Sequence, residues 1–169
     1  IVERAEAHAD YLAWGARLGR LQRGGAGGGD LPEALATTAA VTHAAWQVAV
    51  ELDADAVLCC TRSGLTARAM ARFRPTCPLV GFSPDPAVVR QLALTWGVTP
   101  MAVDVYGSTD EMVWHAVERA VRAGVCRTGD TVVVVAGAPA LDPVDRAGED
   151  AAAGPAGPTS DVLRVVQVR

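Results

Sequence analysis

AVLCCTRSGLTARAMARF, residues 56–73, decides the fold. Apolar, strand-like residues from Ala56 to Cys60 stop at a hydroxyl-rich turn, Thr61 to Thr66. A helix-like run from Ala67 to Phe73 follows at once. A buried strand that passes through a short polar turn into a helix is the first half of a strand–helix–strand unit.

The same alternation continues downstream. Strands are expected at 55–60, Leu79 to Ser83, Pro100 to Val103, Thr131 to Gly137 and Val162 to Val168. Helices are expected at 65–73, 86–95 and 110–123, with Pro86 after Asp85 and a capping box at Ser108 to Glu111. Alternation at this spacing implies parallel strands covered by helices on both faces, hence a three-layer α/β/α domain.

Upstream, residues 1–21 place Val2, Ala5, Ala9, Leu12 and Ala16 at helical spacing and read as a leading helix. Residues 22–30 contain the run Gly24 to Gly29 and read as a glycine-rich connector. A phosphate cradle there would need a preceding strand, which the pattern lacks. Asp30-Leu-Pro-Glu33 carries the signals of a helix start, and that alanine-rich helix is expected to run to about Glu51. Residues 138–160 have no periodicity, are dense in Pro, Gly, Ala and Asp, and read as a long loop before the last strand. The whole chain, 1–169, is expected to be one domain that opens at Ile1 as a piece cut from a longer protein. No signal-peptide pattern is visible at its start.

Composition narrows the function. Hydrophobic residues make up 50% of the chain and charged ones 20%, as in ordinary globular proteins. A formal charge of -4 argues against nucleic acid as a partner. No apolar run reaches the ~18 residues of a membrane span, so no membrane partner is expected. All 15 basic residues are arginine, so no lysine is present to act as Schiff base, acid or phosphate clamp. Cys59, Cys60, Cys77 and Cys126 lack metal-site spacing, and Cys59 and Cys60 must face opposite ways on one strand. They read as buried thiols of a reducing compartment. His8, His43 and His115 have no partner at ligand spacing, so no metal site is expected.

Ligands of an open parallel sheet gather beyond the carboxyl ends of its strands, where Thr61 to Thr66 lies. Free amides at the following helix start, the hydroxyls of Thr61, Ser63 and Thr66, the yielding backbone of Gly64 and the fork of donors on Arg62 would together suit a phosphate monoester. A capped strand–helix turn with nothing bound is the plainer reading of so short a motif. Ser63 sits in Arg-Ser-Gly-Leu rather than Gly-x-Ser-x-Gly, so it is not a nucleophile elbow, and no catalytic residue is assigned.

The succession T-R-S-G-L-T-A (61–67), A-R-F-R-P (71–75), C-P-L-V-G-F (77–82), R-Q-L-A-L-T-W-G-V-T-P (90–100), S-T-D-E (108–111), G-D-T-V-V-V-V-A-G-A-P (129–139) and L-R-V-V-Q-V (163–168) resembles the C-terminal domain of pyruvate kinase. The opening I-V-E-R-A-E-A (1–7) is similar to the helix that leaves that enzyme's barrel. The resemblance implies a five-stranded, mostly parallel mixed sheet whose last strand is antiparallel, in a regulatory domain. It implies an effector-phosphate site at Thr61, Arg62, Ser63, Gly64, Leu65 and Thr66, and an effector-closing loop beginning at Gly137, Ala138 and Pro139. Fructose 1,6-bisphosphate, other sugar phosphates or AMP are the effectors it suggests.

The partners implied are a catalytic barrel in the same parent chain and further copies in a cytoplasmic homo-oligomer, a tetramer in the family. Magnesium and potassium belong to that barrel, where phosphoenolpyruvate and ADP react; no cofactor is implied for this domain. Two departures stand out. Met112 or a neighbour falls where many fructose-bisphosphate responders carry an arginine, which favours a monophosphate effector. The family's Gly-x-Thr-Asn before the last strand reads Gly157-Pro-Thr-Ser160. A structural or oligomerisation module without ligand, and a free-standing small enzyme, are the alternative readings.

Overall fold

Ala56–Cys60 (β1) is a strand with every side chain buried, which only a central strand covered on both faces can be. A computed structural model of the chain describes residues 6, 8–23, 33–137 and 160–169. In chain order its elements are α1 (Tyr11–Arg23), α2 (Glu33–Glu51), β1, α3 (Leu65–Ala71), β2 (Leu79–Ser83), α4 (Pro86–Leu92), β3 (Val98–Ala102), α5 (Thr109–Arg122), β4 (Thr131–Gly137) and β5 (Ser160–Gln167). Among the described residues these strands form one 5-stranded sheet in the order β3-β2-β1-β4-β5. β1 pairs in parallel with β2 (Val57 opposite Leu79) and with β4 (Ala56 opposite Val132). β2 pairs in parallel with β3, and β5 runs antiparallel to β4 with Thr131 opposite Gln167. The three-layer arrangement and the antiparallel last strand are those expected.

The pleat of β1 sends alternate residues to two separate cores. Val57 and Cys59 join Trp46 and Ala49 of α2, Met70 of α3 and Leu92 of α4. Ala56, Leu58 and Cys60 join Val113, Ala116, Val117 and Ala120 of α5. The two adjacent cysteines do face opposite ways. All four thiols are free; Cys77 is half-buried and the other three are buried.

Boundaries depart from the sequence reading where local chemistry intervenes. The leading helix is not continuous over 1–21: Ala9 and Asp10 are non-helical, and α1 starts at Tyr11 and runs to Arg23. Asp10 Oδ1 accepts a 2.9 Å bond from the Ala13 N–H, so this carboxylate caps the helix rather than continuing it. α3 and α4 stop at Ala71 and Leu92, before 73 and 95, and the chain leaves them through turns such as Phe73 N–H to Met70 O (3.0 Å) and Thr95 N–H to Leu92 O (2.9 Å). β3 begins at Val98, two residues before Pro100, because an edge strand tolerates a proline without an N–H. Residues 24–32, including Asp30 and Pro32 of the expected helix start, lie outside the described residues, as do 138–159 of the long loop.

Packing of α1 onto α2 rests on two glycines. A Cβ at Gly15 would overlap the Trp46 indole and one at Gly19 would overlap the His43 ring. Trp46, His43 and Phe73 stack on one another at centroid distances of 5.5–6.2 Å. The Trp14 Nε1–H donates to the Arg72 carbonyl at 2.9 Å, fastening α1 to the end of α3.

Candidate functional site

β1 lies between β2, reached by the next crossover, and β4, reached only after the strands β2 and β3 have been added on the other side. Chain connections therefore diverge between the carboxyl ends of β1 and β4, opening the crevice where doubly wound sheets receive ligands. Cys59 of β1 pairs with Val135 of β4, each two residues short of the strand exits Thr61 and Gly137. The topology thus brings the 61–66 loop beside Gly137. Ala138 and Pro139, also expected there, lie outside the described residues.

Within the loop, the Thr61 N–H donates to the Phe82 carbonyl at 2.9 Å, so the turn leaves the sheet from a fixed point. Thr61 and Thr66 are buried, Ser63 and Leu65 are half-buried, and Arg62 is exposed. Arg62 has no ion-pair or hydrogen-bond partner among the described residues. Ser63 Oγ accepts a long 3.4 Å bond from the Leu65 N–H. Gly64 precedes α3 at φ 79°, a left-handed conformation that side chains resist.

One participant escaped the sequence reading. Arg68, midway along the short helix α3, folds back so that Nη2 donates to the Ser63 carbonyl at 2.9 Å. Its Nη1 lies 2.5 Å from where a Cβ on Gly64 would stand. Helical side chains lean toward the N-terminus, so the five-residue step from Ser63 to Arg68 was the available signal.

The neighbouring strand exits are closed by the protein's own groups. Asp85 Oδ1 accepts from the Ala87 N–H at 2.7 Å and caps α4. At α5, Ser108 Oγ accepts from the Glu111 N–H at 3.2 Å and Glu111 Oε2 accepts from the Gly107 N–H at 3.2 Å, a capping-box variant whose return bond reaches the residue before the cap. Asp110 and Glu111 make that helix start negative, whereas α3 has no acidic residue in its first turn. Met112 packs against the α5-side core. Among the described residues no group of three or more His, Cys, Asp or Glu could hold a metal ion, and no helix is long and apolar enough to cross a membrane.

Fold and topology define a doubly wound α/β domain, with the 61–66 loop at the carboxyl end of its central strand. The chain belongs to the family described as pyruvate kinase, alpha/beta domain, whose profile matches residues 39–145. The pyruvate kinase of Clostridium acetobutylicum is 43% identical over 91 residues, covering 54% of this chain and 19% of that protein. That of Mycobacterium tuberculosis is 38% identical over 117 residues, covering 65% of this chain and 25% of that protein. The chain thus spans between a fifth and a quarter of these two relatives. A crystal structure of a pyruvate kinase from Cryptosporidium parvum superimposes with a TM-score of 0.69 at 18% identity, over 98% of this chain and 28% of that one, which shows the shared fold.

Proposed function

We propose that this domain is the regulatory, effector-binding part of a pyruvate kinase, and that the Thr61–Thr66 loop receives the phosphate of a phosphorylated metabolite. The observation that carries the reading is the position of that loop. It lies at the switch point of the sheet, with Gly64 at φ 79° and exposed Arg62 lacking an ion-pair partner among the described residues. Hydroxyls of Thr61, Ser63 and Thr66 and the Arg62 guanidinium would share the phosphate oxygens. The negative α5 start, with Asp110 and Glu111 beside Met112, disfavours a second phosphate there and favours a monophosphate.

The parent enzyme would transfer phosphate from phosphoenolpyruvate to ADP in the cytoplasm. Its catalytic barrel, with magnesium and potassium, would lie outside this chain. An effector regulates such an enzyme only through its differential affinity for two states, typically ~1–3 kcal/mol. Replacing Ser63 and Thr66 together with alanine should lower effector affinity while leaving the melting temperature within a few degrees. Unchanged affinity in that variant would sink the assignment.

A second reading, a subunit-interface role, draws on exposed Trp114 of α5 and on β5, whose outer edge is unpaired among the described residues and whose Val165 is exposed. Equilibrium sedimentation tests it: self-association that Trp114→Ala weakens is expected, and a monomer at every accessible concentration would refute it.

A further inference from the structure

Arg74 stands in the left-handed region at φ 51°, just beyond the end of α3. Helix ends commonly place glycine in that conformation, because a Cβ there crowds the backbone. An arginine at such a position persists only where its surroundings outweigh the strain. Here its guanidinium carbon lies 4.0 Å from the centre of the Trp96 ring and 5.4 Å from that of Tyr11, within cation–π reach of both. The two rings meet each other at a centroid distance of 5.5 Å, and the Trp96 Nε1–H donates to Glu6 Oε1 at 2.6 Å.

The two residues before Arg74 are engaged as well. The Arg72 carbonyl accepts the Trp14 indole N–H at 2.9 Å, and the Phe73 ring is fully buried against His43 and Trp46 of α2. Three consecutive residues of one turn thus hold the start of α1, the ring stack of α2 and the entry to β3. The same turn closes α3, through bonds from the Phe73 N–H to the Met70 carbonyl (3.0 Å) and from the Arg74 N–H to the Ala71 carbonyl (3.1 Å). α3 spans only about 10 Å at a rise of ~1.5 Å per residue, so it is a stiff strut between this turn and the 61–66 loop.

We propose that the turn Arg72–Arg74 is a clasp that couples α3 to the start of α1 and the chain before it, so that a shift of either is transmitted to the other. This coupling is built into the fold and holds whether or not the 61–66 loop takes a ligand.

Amide hydrogen exchange in the full chain, followed residue by residue, tests it. Two backbone reporters lie on either side of the clasp. One is the Trp14 N–H, bonded to the Asp10 carbonyl at 3.0 Å, and the other is the Arg68 N–H, bonded to the Gly64 carbonyl at 3.0 Å. Arg74→Gly removes the guanidinium while relieving the backbone at φ 51°. It should speed exchange at both reporters about tenfold and affect the central strand β4 much less. Arg74→Lys, which keeps a cation for the two rings, should preserve part of the protection. Trp14→Phe, a milder change that removes the bond to the Arg72 carbonyl, should also speed exchange at Arg68, although it alters nothing on α3 itself. Faster exchange at Trp14 alone would mean that α1 is anchored without being coupled, and overturns the inference. An equal rise at Trp14, Arg68 and β4, the mark of a uniform loss of stability, overturns it too, as does unchanged exchange at both reporters.

Discussion

At the scale of single residues, Gly64 joins two constraints at one position. Its φ of 79° disfavours any side chain, and its missing Cβ admits the Arg68 guanidinium. Gly64→Ala should therefore cost about 1–2 kcal/mol from backbone strain alone, read as a lower urea midpoint at unchanged slope. Trp46 makes a different kind of test. Its Nε1–H is buried with no acceptor among the described residues, a condition that costs ~1–3 kcal/mol. Trp46→Phe keeps an aromatic ring against Phe73 and His43 while removing the unpaired donor. It should destabilise far less than Trp46→Ala, for which about 3–5 kcal/mol is expected; equal losses in the two variants would show that the indole N–H has a partner.

Among elements, α1 depends most on a special contact. Gly19→Val would drive methyl groups into the His43 ring and should cost ~1–3 kcal/mol. Its signature would be red-shifted tryptophan emission as the cover over Trp46 loosens. The exposed Arg164–Asp110 pair at 2.6 Å joins β5 to α5, yet Arg164→Ala should change stability by less than ~1 kcal/mol, because both partners are well solvated.

Elements were also where the sequence was most legible. β1, β2 and β4 are apolar at nearly every position because both faces are covered, so their limits could be read within a residue. The break at Ala9 and Asp10 was hidden because Ala9 fits the helical spacing of its neighbours, and the capping bond of Asp10 is what marks the new helix start. β3 was read as starting late because Pro100 resembles a strand breaker until its edge position is known. The loop itself stood out by its hydroxyls. Arg68 did not, because its part depends on a long side chain folding back across a turn.

For the whole molecule, buried thiols set the alkaline limit of stability. Burial pushes the Cys60 thiol from its ordinary 9.0 up to about 12, and burial with the neighbouring Cys60 raises Cys59 further. Above about pH 9 the unfolded chain loses these protons while the native protein keeps them. The unfolded state then binds fewer protons, so stability is retained below about pH 9 and falls as pH rises toward 12. Urea midpoints across that window should decline, and Cys60→Val should flatten part of the slope.

Two separate cores cover the two faces of the central strand β1, and the 61–66 loop leaves its carboxyl end where the chain connections diverge between β1 and β4. Calorimetric titration at low salt with fructose 1,6-bisphosphate, glucose 6-phosphate, ribose 5-phosphate and AMP tests most directly whether this loop takes an effector's phosphate. Saturable binding of one of them, abolished by Ser63→Ala with Thr66→Ala, is the result predicted. Heat-silent titrations with all four, or binding that survives the double substitution, would contradict it.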